Sequence, residues 1–336
     1  MKFLKNIIPN YLLNIGRKVL TVKRIFFIYF YDYKRFCKYS PVISGYNNRD
    51  KLEAKIIERY HSIEKGLTMP DFRFNFGIPV LTSLTDNCIE YNEKYGESTQ
   101  LKHALSVIFE YEKKHIDSKV PLNQDTIKVL NNLKNKIKNR EEFPLGQKLV
   151  FKTDYFSEVN SNFSAFSNSR KSLRNYLEDQ EVDLNLITNA IEIAKNAPSA
   201  CNRQSVRVYV FSDKEQIKKI LKIQGGNRGF GHLTNKLIII TSDLSVWGFA
   251  RERNQTFIDG GIFAMNLLYG LHFQQIGACI LNCSLSPEND VKLRSLGFIR
   301  ESENFISMIS CGILPEKFMQ AASKRHEVSE ILTIIK

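Results

Sequence analysis

The stretch SRKSLRNY (169–176) is dense in cation and hydroxyl, with Arg170, Ser172 and Arg174 inside five residues. Guanidinium offers a fork of donors and serine adds another, so the three could approach one phosphate. A second basic cluster, Lys324 and Arg325 of SKRHEV (323–328), stands far along the chain. Convergence of the two on one anion would account for both; a solvated run of surface charge is the alternative.

In the loop NAPSACNRQ (196–204), Pro198 ends the preceding helix. Ser199, Asn202 and Gln204 then present donors and acceptors from a backbone not committed to helix bonds. Such a loop suits the polar edge of a planar heterocycle, or it is a helix stop and a polar turn. Cys201 lies in it with no histidine nearby in sequence to serve as a base. In RYHSIEKGLTMP (59–70), His61 and Glu64 share a helix face at three-residue spacing. They read either as an acid–base pair over a site or as a surface pair at a helix end ahead of Gly66.

These residues must be carried by regular elements. Residues 1–50 form a basic, aromatic-rich leader and 51–153 a helical region. Residues 154–169, rich in Ser and Asn, read as a linker, and 170–336 as an α+β unit. Helical periodicity is clear at Leu101, Leu105, Ile108 and Tyr111, and Gly66 and Gly96 stand where helices would stop. In the last region, Val182–Ala197, Asp213–Ile223 and Asn254–Phe273 read as helices. VRVYVFS (206–212), KLIIITSD (236–243), IGACILN (276–282) and FISMISCGI (305–313) read as strands.

Charge and composition narrow the partners. The chain has 336 residues, 43% of them hydrophobic, enough for an ordinary globular core. Of its net charge of +13, +8 lies in the first 50 residues, where ten Lys/Arg face only Asp32 and Asp50. A leader of this kind points to an anionic surface. Anionic lipid, met through residues 1–40, is favoured over nucleic acid, because no helix-turn-helix or zinc module is present. The run IFFIYFY (25–31) is too short to span a bilayer; it could lie in the interface or pack on the protein. The six cysteines are scattered with no CxxC, so neither disulfides nor a metal is expected and a reducing cytoplasm is the expected location. No secretory signal is evident.

Five elements in order resemble the nitroreductase family of flavin enzymes: RKSLRNY (170–176), APSACNRQ (197–204), DGGIFAMNLL (259–268), IGAC (276–279), and Gly312-Ile-Leu-Pro315 followed by Lys324-Arg325. The resemblance covers about half of the chain. It implies an α+β fold around a mixed sheet, a homodimer with FMN at the subunit interface, and reduction by NAD(P)H. Arg170, Ser172, Arg174, Lys324 and Arg325 would then face the phosphate and ribityl end, and Pro198, Ser199, Ala200 and Asn202 the edge of the ring. Leu281 and Asn282 would lie near the reactive N5, where family members often offer a glycine, and Asn227 would reach the pyrimidine side. The cofactor carries the chemistry, so no catalytic side chain is assigned. The RYHSIEKGLTMP stretch resembles the leading region of family members from bacterial polysaccharide gene clusters. That implies an oxidoreductase acting on a small or glycan-related substrate; the basic leader adds the expectation of a place peripheral to the inner face of the membrane. The alternative is a non-redox flavin-binding accessory of a membrane-associated polysaccharide assembly.

Overall fold

The computed structural model describes residues 10–137 and 146–335. Residues 1–9 of the leader, 138–140 of the last expected N-terminal helix, and Lys336 lie outside the described residues.

The chain begins with one 30-residue helix, α1 (Asn10–Tyr39), whose side chains are nearly all exposed. After a single helical turn at Pro41–Ser44, four longer helices follow: α2 (Arg49–Leu67), α3 (Ile78–Tyr95), α4 (Thr99–Asp117) and α5 (Gln124–Lys136). Each apolar stripe recurs at three- and four-residue steps, so each helix buries one face. Leu52, Ile56, Ile63, Leu84, Tyr91 and Ile108 are among the residues closing this core. Asn48 and Ser98 cap α2 and α4 by accepting from Lys51 N–H and Leu101 N–H. Gly96 ends α3 at φ +77°, as expected of a helix-stop glycine. Gly66 is different: it lies within α2, where a Cβ would stand 2.1 Å from the Phe76 ring. Close approach, not helix termination, explains it.

Residues 154–169, expected to be a linker, instead pack onto the body. They follow β1 (Gln147–Phe151) and end in α6 (Phe163–Ser169). Tyr155, Phe156 and Val159 sit in the same core as Leu173 and Phe318. Aromatic residues set among the polar ones supply the burial that a linker lacks.

The remaining elements are α7 (Leu184–Ala194), β2 (Val206–Phe211), α8 (Lys214–Gln224), β3 (Lys236–Asp243), α9 (Gln255–Phe273), β4 (Gly277–Asn282), α10 (Pro287–Arg294), β5 (Glu303–Gly312) and β6 (Lys317–Ala321). Four strands form a sheet in the order β2-β3-β5-β4. The α+β class stands, but the sheet is antiparallel at each of its pairings where a mixed sheet was expected. β3 and β4, joined through α9, do run parallel to one another, as a helical crossover demands. β5 inserts between them and pairs antiparallel with both. Side chains alternate across the sheet. Leu237 and Ile239 face α8, with Ile217 and Leu221, while Ile238 and Ile240 face α7 and α9, with Ala190 and Leu267.

A second, two-stranded sheet joins β1 to β6 in antiparallel register, Gln147 opposite Ala321. Neither strand was apparent from periodicity. The pairing fastens the helical N-terminal region to the segment that carries Lys324 and Arg325.

Candidate cofactor site

The segment after α6 runs extended beside β4, with Leu173 N–H donating to the Ala278 carbonyl at 2.9 Å. Leu173 and Tyr176 go into the core, and the Tyr176 hydroxyl lies 2.6 Å from the Leu173 carbonyl. Ser172 and Arg174 line a cavity of about 270 Å³ together with Arg170, Lys324, Arg325 and His61. The structure therefore brings together all five residues expected at a phosphate and adds Ile57, Tyr60 and His61 from α2.

The C-terminal pair arrives through an unusual anchor. Beyond β6, Ala322 N–H donates to the Gly146 carbonyl, and Ser323 takes a left-handed conformation at φ +47°. Ser323 N–H donates to the Glu64 carboxylate at 2.9 Å, and its hydroxyl lies 3.4 Å from the other oxygen. Glu64 is fully buried. Burial pushes its carboxyl up, but hydrogen bonds from His103, His61 and Ser323 outweigh this and hold it at about 2. His103 Nε2 stands 3.1 Å from it and His61 Nδ1 3.6 Å. Facing an ionised carboxylate, His103 Nε2 is placed to donate to it. The reading of His61 and Glu64 as a surface pair is corrected for Glu64. Its place was legible in the four-residue steps Leu52, Ile56, Tyr60, Glu64, which follow the buried face of α2.

Positive charge dominates the cavity. Among the described residues, no carboxylate pairs with Arg170, Lys171 or Arg174. Arg170 Nε is buried with no hydrogen-bond partner. Arg325 donates only to the Ser323 carbonyl, at 2.6 Å, while Lys324 pairs with Glu327. Lysines nearby register the field: Lys171 is held below its ordinary value by burial and then by Arg325 and Arg170, and Lys65 by burial and then by Arg174. Behind Arg170, the His272 imidazole lies 2.7 Å from Ser169 Oγ. Burial, followed by the charge of Arg170, lowers it to about 4, so it stays neutral at neutral pH. A dianionic phosphate fits such a cavity on charge.

The second motif is built differently. Cys201, Asn202 and Gln204 all have positive φ, near +50°. The loop is tied to α9 by Asp259, which is buried and accepts from Ala200 N–H at 3.0 Å and from Gln255 Nε2 at 2.6 Å. Ser199 Oγ accepts from Gln204 N–H at 3.1 Å, which leaves its own O–H free to donate. Pro198 and Ser199 line a separate cavity of about 220 Å³ with Gln204, Arg207, Asp259 and Phe263; no residue lines both cavities. Asn202 and Cys201 are exposed.

The remaining expected residues stand elsewhere. Asn227 does not present its amide to a ligand: Nδ2 donates to the Leu221 carbonyl at 2.5 Å and to Gln224 Oε1 at 3.2 Å, closing the end of α8. Leu281 is buried in the sheet core, because β4 alternation turns its side chain inward. Asn282 is exposed, its carbonyl accepting from Gln224 Nε2 at 3.1 Å. Burial pushes the adjoining Cys283 thiol up to about 12, so it is no thiolate.

These features define an α+β protein with a cation-lined cavity beside an edge strand. Residues 168–227 match the model of the Nitroreductase family, the stretch that holds the first two motifs. Among solved structures, the chain is similar to a candidate NADH oxidase from Clostridium acetobutylicum, at 22% identity and a TM-score of 0.43 over 51% of this chain and 99% of that one. It is also similar to a candidate nitroreductase from Exiguobacterium sibiricum in complex with FMN, at 16% identity and a TM-score of 0.46 over 52% and 98%. A third, a candidate nitroreductase from Desulfovibrio desulfuricans in complex with FMN, has 18% identity and a TM-score of 0.44 over 52% and 98%. No curated protein matches the sequence at a significant level.

Proposed function

We propose that the chain is an FMN-dependent oxidoreductase of the nitroreductase family. NAD(P)H would be the donor, and an unidentified small or glycan-related molecule of polysaccharide biosynthesis the acceptor. The observation that carries this reading is the cavity in which Arg170, Ser172, Arg174, Lys324 and Arg325 meet without a neutralising carboxylate on the first three. The family match over residues 168–227 supports it. The polysaccharide setting rests on RYHSIEKGLTMP alone.

When bound, FMN supplies hydride acceptance and electron transfer at its ring. The guanidinium groups of Arg170 and Arg174 hold the phosphate, and Ser172 adds a donor. Ser199 O–H and the Asn202 amide offer hydrogen bonds to the ring edge, while the Ala200 N–H is already taken by Asp259. A homodimer accounts for the two separate cavities, since a second copy would bring its loop to the first copy's cations. The exposed face of α9, with Phe257, Ile258, Ile262 and Met265, supports a self-contact.

Purified protein should bind FMN with quenching of flavin fluorescence, and NADH or NADPH should bleach the bound flavin without oxygen. No binding overturns the flavin reading. Bound flavin that neither nucleotide bleaches favours the non-redox accessory role, a reading the Asn282–Cys283 turn supports in place of a glycine.

A further inference from the structure

Helix α1 has no part in either cavity. At a rise of about 1.5 Å per residue it is roughly 45 Å long. Ile15, Val19, Val22, Phe26, Tyr29 and Tyr33 recur at alternating four- and three-residue steps and so share one side. Each is more than half exposed. An apolar stripe of this length left in water is the mark of a surface that something covers.

The charge on the helix says what. α1 carries Arg17, Lys18, Lys23, Arg24, Lys34, Arg35 and Lys38 against a single acid. That acid, Asp32, is held by the Arg253 guanidinium through two hydrogen bonds, at 2.5 and 2.8 Å, fastening the C-terminal third of α1 to the body. The cations find aromatic rings instead of carboxylates: Lys34 lies 4.6 Å from the Phe30 centroid and Lys23 5.9 Å from that of Phe27. The partner must therefore bring negative charge and an apolar layer together.

A second copy of α1 does not meet this requirement. The four–three spacing suits paired helices, but Lys18 and Lys23 are five residues apart on opposite flanks of the stripe, so a parallel pair would set them against each other as like charges. An anionic bilayer surface meets both requirements, with headgroups for the cations and the acyl boundary for the aromatic stripe. Among the described residues no helix is long and apolar enough to cross a membrane.

We propose that α1 docks in the plane of an anionic lipid surface, with the Ile15–Tyr33 stripe at the headgroup–acyl boundary and the Asp32–Arg253 pair tethering the body to it. The inference is independent of the flavin reading. The full chain should float with phosphatidylglycerol-containing vesicles and stay behind with pure phosphatidylcholine ones, and high salt should release it. Reversing Lys18, Lys23 and Arg24 to Glu should weaken binding about a hundredfold. Phe26→Asp with Tyr33→Asp should abolish it at any salt while leaving the thermal transition of the body in place. Equal flotation with neutral and anionic vesicles overturns the proposal, as does no flotation with either. It is also overturned if the Phe26→Asp, Tyr33→Asp variant halves the mass measured by light scattering without lipid, because a second copy then covers the stripe.

Discussion

The cation cavity around Arg170 and the loop from Pro198 to Gln204 are held in opposite ways. The cavity is assembled from four distant parts of one chain, α2, the segment after α6, β4 through Ile280, and the end of β6 with the stretch after it, and a buried carboxylate fastens the last of these. The loop is local. It hangs from α9 by one aspartate, with three residues in left-handed backbone and its polar side chains open. The difference separates two tasks. Holding charge requires unpaired cations fixed before the ligand arrives, because ordering them afterwards would subtract from affinity. Lining the edge of a ring requires only a few aimed donors, and those can complete a site across an interface.

If this contrast is right, variants on the two sides differ in size of effect. Replacing Arg170 and Arg174 together by Ala should weaken FMN binding about a thousandfold, since each charged contact is worth roughly 1.5–3 kcal/mol; fluorescence titration reads this directly. Glu64→Gln should cost about 3 kcal/mol of stability in urea unfolding, and should loosen FMN about tenfold by freeing Ser323 from its anchor.

A pH series tests the same side of the molecule. The folded state holds His272 at about 4, against 6.5 when unfolded, so its contribution is present above pH 6.5. As pH falls through that window the unfolded state takes up a proton that the folded state refuses, and stability drops by about 3 kcal/mol. Glu64, at about 2 when folded and 4.5 when unfolded, adds a second loss between those values. The urea midpoint should fall from pH 6.5 downward, and His272→Gln should remove the first part of that fall. On the loop, Asp259→Ala should weaken FMN binding only about tenfold, by freeing Ala200 N–H. Cys201→Ala should leave binding and turnover unchanged; a loss in either would give the thiol a role that its exposed, partnerless position does not.

What the sequence revealed follows the same division. The continuous apolar run KLIIITSD falls on its observed bounds, because a central strand buried on both faces has no other use for such residues. The two basic motifs stood out by composition, but that they meet at one cavity is a tertiary fact, since such charge runs are more often solvated surface. Glu64 departs from the expected surface pair because an acid at a helix end usually meets water, and the tertiary approach of Ser323 and His103 adds buried partners to its local one, His61. Asn227 was misplaced for the converse reason, its amide serving the local end of α8. β1 and β6 were missed since five-residue strands on a small sheet carry little periodicity, and their pairing is long-range.

That pairing sets an order of events during synthesis. Glu64 leaves the ribosome early and Ser323 late, so helices α2 to α5 can fold around a carboxylate that has its histidines but not yet its backbone partner. The cation-lined cavity is complete only when β6 finds β1, a contact with high loop-closure cost. A nascent or truncated chain ending before Ala321 would keep its helices and lack the site. The cation-lined cavity thus needs the whole stretch from Ile57 to Arg325 made and folded.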